Sequence, residues 1–543
     1  MNRRDFLLSL AAASCLPGCQ PHAAALPPGA ILGPAMERGH RLRGRDFPSP
    51  SETRKVDVAI VGGGVAGLSA GWNLDRADFG DFRLFELEDA VGGNSRSGKN
   101  AISAYPWGAH YLPLPGREAR HVRELLADLG VIRGDPYAEA PDYDERHLCF
   151  APQERLYRHG LWQEGLLPQI GASRRDKEQY QRFLALVERY RRQRDKAGRR
   201  AFAIPSALSS RDVGLLALDR VSMRAFLLGQ GLDSEPLHWY VNYACRDDYG
   251  SNYAEVSAWA GLHYFAARDG KAANAESDQV LTWPEGNGWL VQQMQRRLGG
   301  QIETGALVYR IEELRDGVEL DVYLPAEKRS VRWQARALIF AAPLFVLPHV
   351  MEGLNTRLRD AIGQIRHAPW LVANLTLKGL PEPGNGAPLS WDNVLYDSPA
   401  LGYVNATHQS LGSHPGPTVL TYYWALSGEA PEAARKRLFE TPWSGWAERI
   451  LADLARPHPD LRAKVERLDI FRWGHAMAKP LPGWIWSEAR ELLTRAHGHI
   501  HLAHADLSGF SIFEEANYWG VQASNRVLQR LGGRRHGETR KDL

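Results

Sequence analysis

The sequence predicts an α/β fold, and three observations carry that prediction. Residues 56–61, Val-Asp-Val-Ala-Ile-Val, form a short β-branched run of the buried-strand type. A glycine turn follows at once, Gly62-Gly63-Gly64-Val65-Ala66-Gly67, and then a helix-like stretch, Leu68-Ser69-Ala70-Gly71-Trp72-Asn73-Leu74. A second strand, Phe82-Arg83-Leu84-Phe85, ends on the acid Glu86, 19 residues beyond Gly67. Strand, glycine turn, helix and distant acid are the parts of a dinucleotide site. Gly62 permits the tight turn, Gly64 lets backbone N–H groups approach a pyrophosphate, Gly67 lets helix and strand pack closely, and Glu86 accepts hydrogen bonds from a ribose.

Composition sets the scale. With 543 residues, 44% of them hydrophobic and 17 Trp, the chain can bury a large core divided between two lobes. The balance of 66 Lys+Arg against 63 Asp+Glu gives neither a nucleic-acid footprint nor a polybasic membrane patch, so the expected partner is a small molecule. Of the cysteines, Cys15 and Cys19 lie in the N-terminal segment and Cys149 and Cys245 in the body; one disulfide is compatible with that count and none is required.

The first residues read as an address. Asn2-Arg3-Arg4-Asp5-Phe6-Leu7-Leu8 sets paired arginines before an apolar run, residues 6–16, that is far shorter than the ~20 residues a bilayer requires. Residues 1–25 thus resemble a twin-arginine signal peptide, which implies passage through the twin-arginine translocase in the folded state and a periplasmic or otherwise exported location. Two processing outcomes stay open. Leu16-Pro17-Gly18-Cys19 resembles a lipobox with proline at its second position, which would make Cys19 a lipid anchor in the membrane, whereas Ala23-Ala24-Ala25 fits ordinary signal-peptide cleavage. Residues 26–54, with Pro27-Pro28 and Pro48-Ser49-Pro50, read as a linker or surface-hugging arm, and the globular part is expected from Lys55 onward.

Later segments narrow the cofactor. Glu88-Asp89-Ala90-Val91-Gly92-Gly93-Asn94-Ser95-Arg96 carries a second glycine pair, and Tyr105-Pro106-Trp107-Gly108-Ala109-His110-Tyr111 follows it. Further on stand Trp283-Pro284-Glu285-Gly286-Asn287-Gly288-Trp289, Gly305-Ala306-Leu307-Val308-Tyr309, Ala335-Arg336-Ala337-Leu338-Ile339-Phe340-Ala341-Ala342-Pro343 and His501-Leu502-Ala503-His504-Ala505-Asp506. In this order the segments resemble the flavin-containing amine oxidase superfamily, which includes monoamine and polyamine oxidases, protoporphyrinogen oxidases and carotenoid desaturases. The resemblance implies FAD in a Rossmann-type, glutathione-reductase-like domain, interleaved with an α+β substrate-binding domain. It implies cofactor contacts at Gly62, Gly64, Gly67, Glu86, Gly92, Gly93, Arg96, Gly108, Val308, Asp506 and Ala516, with Val308 at the adenine end and Asp506 at the ribityl or phosphate region. The FAD-binding domain would comprise residues 55–115, 280–345 and 495–543 including the C-terminal tail, and the substrate domain residues 116–279 and 346–494.

The resemblance breaks at Phe513-Glu514-Glu515-Ala516-Asn517-Tyr518-Trp519-Gly520, where Glu515 and Trp519 replace small residues expected close to the flavin. The implied reaction is oxidation of an amine CH–NH bond, with O2 or a respiratory acceptor reoxidising the flavin. Two rivals are CH–CH dehydrogenation of a lipophilic substrate and a flavoprotein that serves assembly without turnover.

Other residues divide between chemistry and packing. His110 adjoins the expected flavin-facing loop and is the candidate catalytic base, although a histidine that only hydrogen-bonds within the loop fits the same position. His497, His499 and His501 alternate as one face of a strand, but no carboxylate or cysteine cluster completes a set, so no metal is expected. Cys245 reads as a buried structural thiol. Trp259, Tyr264, Trp391, Tyr403, Tyr422, Tyr423, Trp424 and Trp473 offer aromatic walls for a pocket, most of them core. In the basic segment 174–200, Phe183, Leu186, Val187 and Tyr190 fall at helical spacing and predict an amphipathic surface helix.

Overall fold

A computed structural model describes residues 25–410 and 416–532. The paired arginines, the lipobox-like segment with Cys19 and, of the alanine cleavage motif, Ala23 and Ala24 lie outside the described residues.

Two sheets organise the chain. In the first, the strand Pro50–Val61 lies between Phe82–Phe85 and Arg329–Phe340, parallel to both, with Val61 opposite Phe85 and Phe340. Ile302–Glu303 extends the Phe82 edge in parallel. On its other side Arg329–Phe340 is shared. Its N-terminal part pairs antiparallel with Gly317–Leu324, which pairs in turn with Leu307–Leu314, and its last residues pair in parallel with Ile500–Leu502. Alternate residues of the central strand enter two separate cores. Val58 and Ile60 pack with Leu84, Ala337 and Ile339, whereas Ala59 and Val61 pack with Phe85, Leu338 and Phe340. Burial on both faces is why residues 56–61 read as a continuous apolar run interrupted only by Asp57.

The helix Val65–Arg76 starts directly from the glycine turn, and the C-terminal helix Phe513–Leu531 lies across it. Gly520 makes that crossing close, since a Cβ there would stand 2.1 Å from the Ala66 carbonyl oxygen. Asn517 donates to the Ser69 hydroxyl at 3.0 Å and Asn73 to the Ser524 hydroxyl at 2.9 Å, which fixes the sliding register of the two helices.

The second sheet runs Ile31–Leu32, Val465–Ala478, His367–Leu377, Thr418–Ala425, Gly402–Asn405, Asp392–Leu395, Glu154–Arg158, Leu161–Glu164. The expected interleaving is visible in the chain: each sheet is assembled from segments that the other interrupts. Residues 26–54, read as a linker or surface-hugging arm, carry a helix, Met36–Gly44, and a strand, Ile31–Leu32, that joins the second sheet. The first-sheet strand also begins at Pro50, ahead of Lys55. The basic segment forms the helix Arg174–Arg192, opened by a Ser173/Asp176 capping box, with Phe183 and Val187 buried and most arginines exposed. It ends short of residue 200. No helix among the described residues is long and apolar enough to cross a membrane.

Candidate functional site

The glycine turn is built as its spacing demands. Gly62 has φ +103°, and a Cβ on it would stand 2.7 Å from the Ala342 nitrogen. A Cβ on Gly67 would stand 1.9 Å from the Gly62 carbonyl oxygen, so helix and strand could not meet with any larger residue there. Gly64 is different. It is the N-cap of Val65–Arg76, and a Cβ there would meet no protein atom within 4 Å. Open space thus lies at the positive end of a helix, where no side chain caps the first N–H groups.

Glu86 sits beside this opening. Its carboxylate accepts the Gly63 N–H at 2.6 Å and the Glu88 N–H at 2.8 Å. Burial pushes its carboxyl up to about 6 against those two donors. Each oxygen keeps a further lone pair for a hydroxyl. Gly305 and Ala306 donate to the carbonyls of Glu88 and Glu86, both at 2.8 Å, which brings the strand containing the buried Val308 to the Glu86 end.

The second glycine pair closes over the first. Gly92 donates to the Gly63 carbonyl at 2.8 Å, and a Cβ on Gly93 would stand 3.4 Å from the Gly64 Cα. Both have positive φ, +126° and +53°. Arg96 turns its guanidinium to Glu88 at 3.2 Å. Gly108 packs on the same loop, where a Cβ would reach 2.2 Å from the Asn94 carbonyl oxygen.

Asn94 also lines a cavity between the two sheets' lobes. Gly108, His110 and Tyr111 come from the adjoining loop, and Trp370, Tyr423 and Trp473 from the second sheet. Asp247 and Asp248 come from the helix Glu235–Tyr249, Arg268 from just beyond Ala258–Ala267, Asn287 from the N-cap of Gly288–Leu298, and Ile512, Phe513 and Glu514 from the start of the C-terminal helix. Asn287 Oδ1, Trp370 Nε1 and the Tyr423 hydroxyl are buried there without hydrogen-bond partners. Orphaned buried polar atoms are costly, and these three belong to residues that line one cavity. The start of the C-terminal helix also has no side-chain cap, so its N–H groups and dipole face the same space.

The electrostatics of this cavity were not foreseen. Asp248 pairs with Arg268 at 2.5 Å, and the Tyr111 hydroxyl donates to Asp247 at 3.2 Å. Burial, with Asp248 alongside, pushes the Asp247 carboxyl up to about 7, and burial does the same for Glu514. His110 stacks on Tyr423 with ring centroids 4.2 Å apart and stands 5.6 Å from Trp391. Burial pushes its imidazole down to about 3, so it stays neutral at any ordinary pH and is a poor store for a proton.

The structure also places three further groups of residues. Glu515 and Trp519 do not line the cavity: the Glu515 carboxylate accepts the Ser206 N–H at 2.6 Å and the Ser508 hydroxyl, and Trp519 Nε1 donates to that hydroxyl at 2.7 Å. The residue turned to the cavity is Glu514. Asp506 is fully buried, with its oxygens met by His367 Nε2 at 2.9 Å, His504 Nδ1 at 3.2 Å and the Leu344 N–H at 3.0 Å. Burial alone would raise its carboxyl, but the His504 and His367 charges and hydrogen bonds hold it well below the usual carboxylate range. Asp506 therefore ties its own segment to those of Leu344 and His367. Of the aromatic candidates, Tyr423 and Trp473 line the cavity and Trp391 backs His110, while Tyr403, Tyr422 and Trp424 belong to a core on the second sheet and Trp259 to another. Ala516 lies in the first turn of the C-terminal helix. Cys149 and Cys245 are free and buried, and burial raises both thiols. Among the described residues no group of three His, Cys, Asp or Glu side chains could hold a metal ion.

Comparison with known proteins agrees with this architecture. The NAD(P)-binding Rossmann-like domain family matches residues 60–129. Oxidoreductase PigB of Serratia sp. (strain ATCC 39006) is 22% identical over 295 residues, 51% of this chain and 41% of that protein, so the chain spans about two fifths of its length. Among solved structures, putrescine oxidase with putrescine bound superposes with a TM-score of 0.66 at 18% identity, covering 88% of this chain and 100% of that one. Cyclohexylamine oxidase from Brevibacterium oxydans IH-35A gives 0.63 at 16% identity over 88% and 100% of the two chains. A fatty acid isomerase from P. acnes that produces CLA gives 0.61 at 16% identity over 87% and 98%. The fold is therefore the mixed α/β fold of the FAD-dependent amine oxidases, with a Rossmann-like dinucleotide-binding lobe.

Proposed function

We propose that this chain is an FAD-dependent oxidoreductase that oxidises the CH–NH bond of a small amine. The observation that carries the reading is the continuity of the site: Gly93 approaches Gly64, and Asn94, the next residue, lines the cavity. An elongated dinucleotide with its pyrophosphate at Gly64 would reach the cavity within one loop. Glu86 would hold the adenine-side ribose, Gly64 and Gly93 the pyrophosphate, and the start of the C-terminal helix the carbonyl edge of a ring system. A bound flavin would supply the two-electron acceptor, to be reoxidised by O2 or a respiratory acceptor.

The chain's own residues supply the rest. Trp370, Tyr423 and Trp473 exclude water and give a cation aromatic faces, and Asp247 and Glu514 favour entry of a positively charged substrate. Two solved relatives of this fold are oxidases named for amines, putrescine and cyclohexylamine. The carboxylates argue against a long hydrocarbon in the same space, because desolvating them against it would be costly. The features that favoured a non-catalytic role, Glu515 and Trp519, are occupied with Ser206 and Ser508 and leave the cavity unplugged. Export through the twin-arginine translocase, with Cys19 lipidated or the segment removed, completes the proposal from residues 1–25.

The test is anaerobic mixing of the purified yellow protein with a panel of amines, following the flavin band near ~450 nm. Bleaching by a primary amine is expected. Bleaching by a polyene or a porphyrinogen and by no amine would overturn the substrate class.

A further inference from the structure

A charged substrate has to become neutral inside this cavity, and that requirement, which rests on the amine reading above, singles out one side chain. A primary amine has a pKa of about 10 and arrives as an ammonium ion. Hydride leaves only from a carbon whose neighbouring nitrogen has a free lone pair. One N–H proton must therefore be placed on the protein. His110 is held neutral by burial and its ring face is covered by Tyr423. The Tyr111 and Tyr423 hydroxyls are held protonated by burial. Asp248 is committed to Arg268. Glu514 also lines the cavity and is pushed up to about 7 by burial, but it is 3% exposed and stands in the first turn of the C-terminal helix, less open to a bound substrate than Asp247. Asp247 lines the cavity, stays partly open to it, and is approached by the Tyr111 hydroxyl on one oxygen.

We propose that Asp247 accepts the ammonium proton of the bound substrate. One N–H bond breaks, one O–H bond forms on the carboxylate, and the N–H electron pair stays on nitrogen as its lone pair; nothing is oxidised in this step. The groups facing Asp247 suit the task. Arg268, Arg246 and the Tyr111 hydroxyl favour its charge, and Asp248 opposes it. Asp392 and Glu154, opposite each other on neighbouring strands of the second sheet, are pushed up by burial first and also by the charge of Asp247, and the Tyr243, Tyr264 and Tyr423 hydroxyls sense the same carboxylate. The balance leaves Asp247 able to take and release a proton near neutrality, which neither a solvent-exposed aspartate nor His110 could do.

The test follows flavin reduction in the holoprotein against pH with two primary amines of different basicity. In the wild type the second-order rate should rise as pH passes ~7 with the same limb for both amines, and the rate at saturating amine should be flat above it. In Asp247→Asn the limb should move to each amine's own pKa, lowering the rate at pH ~7.5 on the order of 10²-fold for an amine of pKa ~10. Calorimetric binding of tert-butylamine, which has no hydrogen on the carbon bearing nitrogen, should show the same shift without turnover. Tyr111→Phe, which removes a hydroxyl donor from Asp247, should move the wild-type limb upward and serves if Asp247→Asn does not fold. A limb unchanged in Asp247→Asn, a limb that moves instead in Glu514→Gln, or a wild-type saturating rate that climbs with the amine's own pKa would overturn the assignment. If no amine reduces the flavin, the amine reading falls and this assignment with it.

Discussion

Glu86 carries a cost that its ligand would relieve. Its carboxyl is raised to about 6 in the folded chain from an ordinary 4.5. A carboxyl raised on folding gives stability that is full below its unfolded pKa and is lost as pH rises through the folded one, so the flavin-free protein should lose stability between pH ~4.5 and ~6.5. The loss from this group is on the order of 2 kcal/mol. Thermal melts of flavin-free wild type and Glu86→Gln across that window check it: the drop should be smaller in the variant, and equal drops would mean that Glu86 ionises freely. Ribose hydroxyls donating to the carboxylate would lower its pKa again, so the difference should shrink once flavin is bound. The need for an acid at this position was legible, because the motif spaces it from Gly67. Its cost was not, since burial depends on Val91 and on the strand around Ala306, far along the chain.

The C-terminal helix shows what an element adds. Its N-terminus faces the cavity only because Gly520 lets the helix lie against Val65–Arg76. Gly520→Leu would drive a side chain into the Ala66 carbonyl, and a destabilisation of ~3 kcal/mol or more is expected, with loss of flavin. Thermal melting together with the flavin-to-protein absorbance ratio would measure both. A stable yellow Gly520→Leu protein would contradict this packing. On the same helix, consecutive residues are turned by about 100°, so Glu514 faces the cavity while Glu515 faces Ser206 and Ser508. The sequence pattern drew attention to Glu515 because it departs from a familiar motif. Which of the two acids meets the cavity depends on the rotation of the helix, which Gly520, Asn517 and Asn73 set through contacts across some 450 residues of chain.

Across the whole molecule, what was legible early is what is local. Gly62, Gly64 and Gly67 answer backbone requirements within one turn, and alternate residues of 56–61 serve two cores in a single strand. The cavity is the opposite case. It is assembled from segments near residues 94, 110, 247, 268, 287, 370, 423, 473 and 514, and no spacing rule joins them. Asp247, Asp248 and Asn287 gain their meaning only from one another. The same interleaving explains the arm, since Ile31–Leu32 adds an edge to a sheet whose other strands begin more than a hundred residues later.

On the proposed function, the open space at Gly64 holds the pyrophosphate of a flavin whose ring reaches the cavity. Flavin content and melting temperature of Gly64→Val against wild type test it most directly. A Cβ at Gly64 meets no protein atom within 4 Å, and φ there is −72°, so the variant should fold with a loss of ~1 kcal/mol at the helix N-cap. The wild type should carry one flavin per chain, and Gly64→Val should be folded and colourless. A Gly64→Val protein that keeps its flavin would contradict that placement of the pyrophosphate.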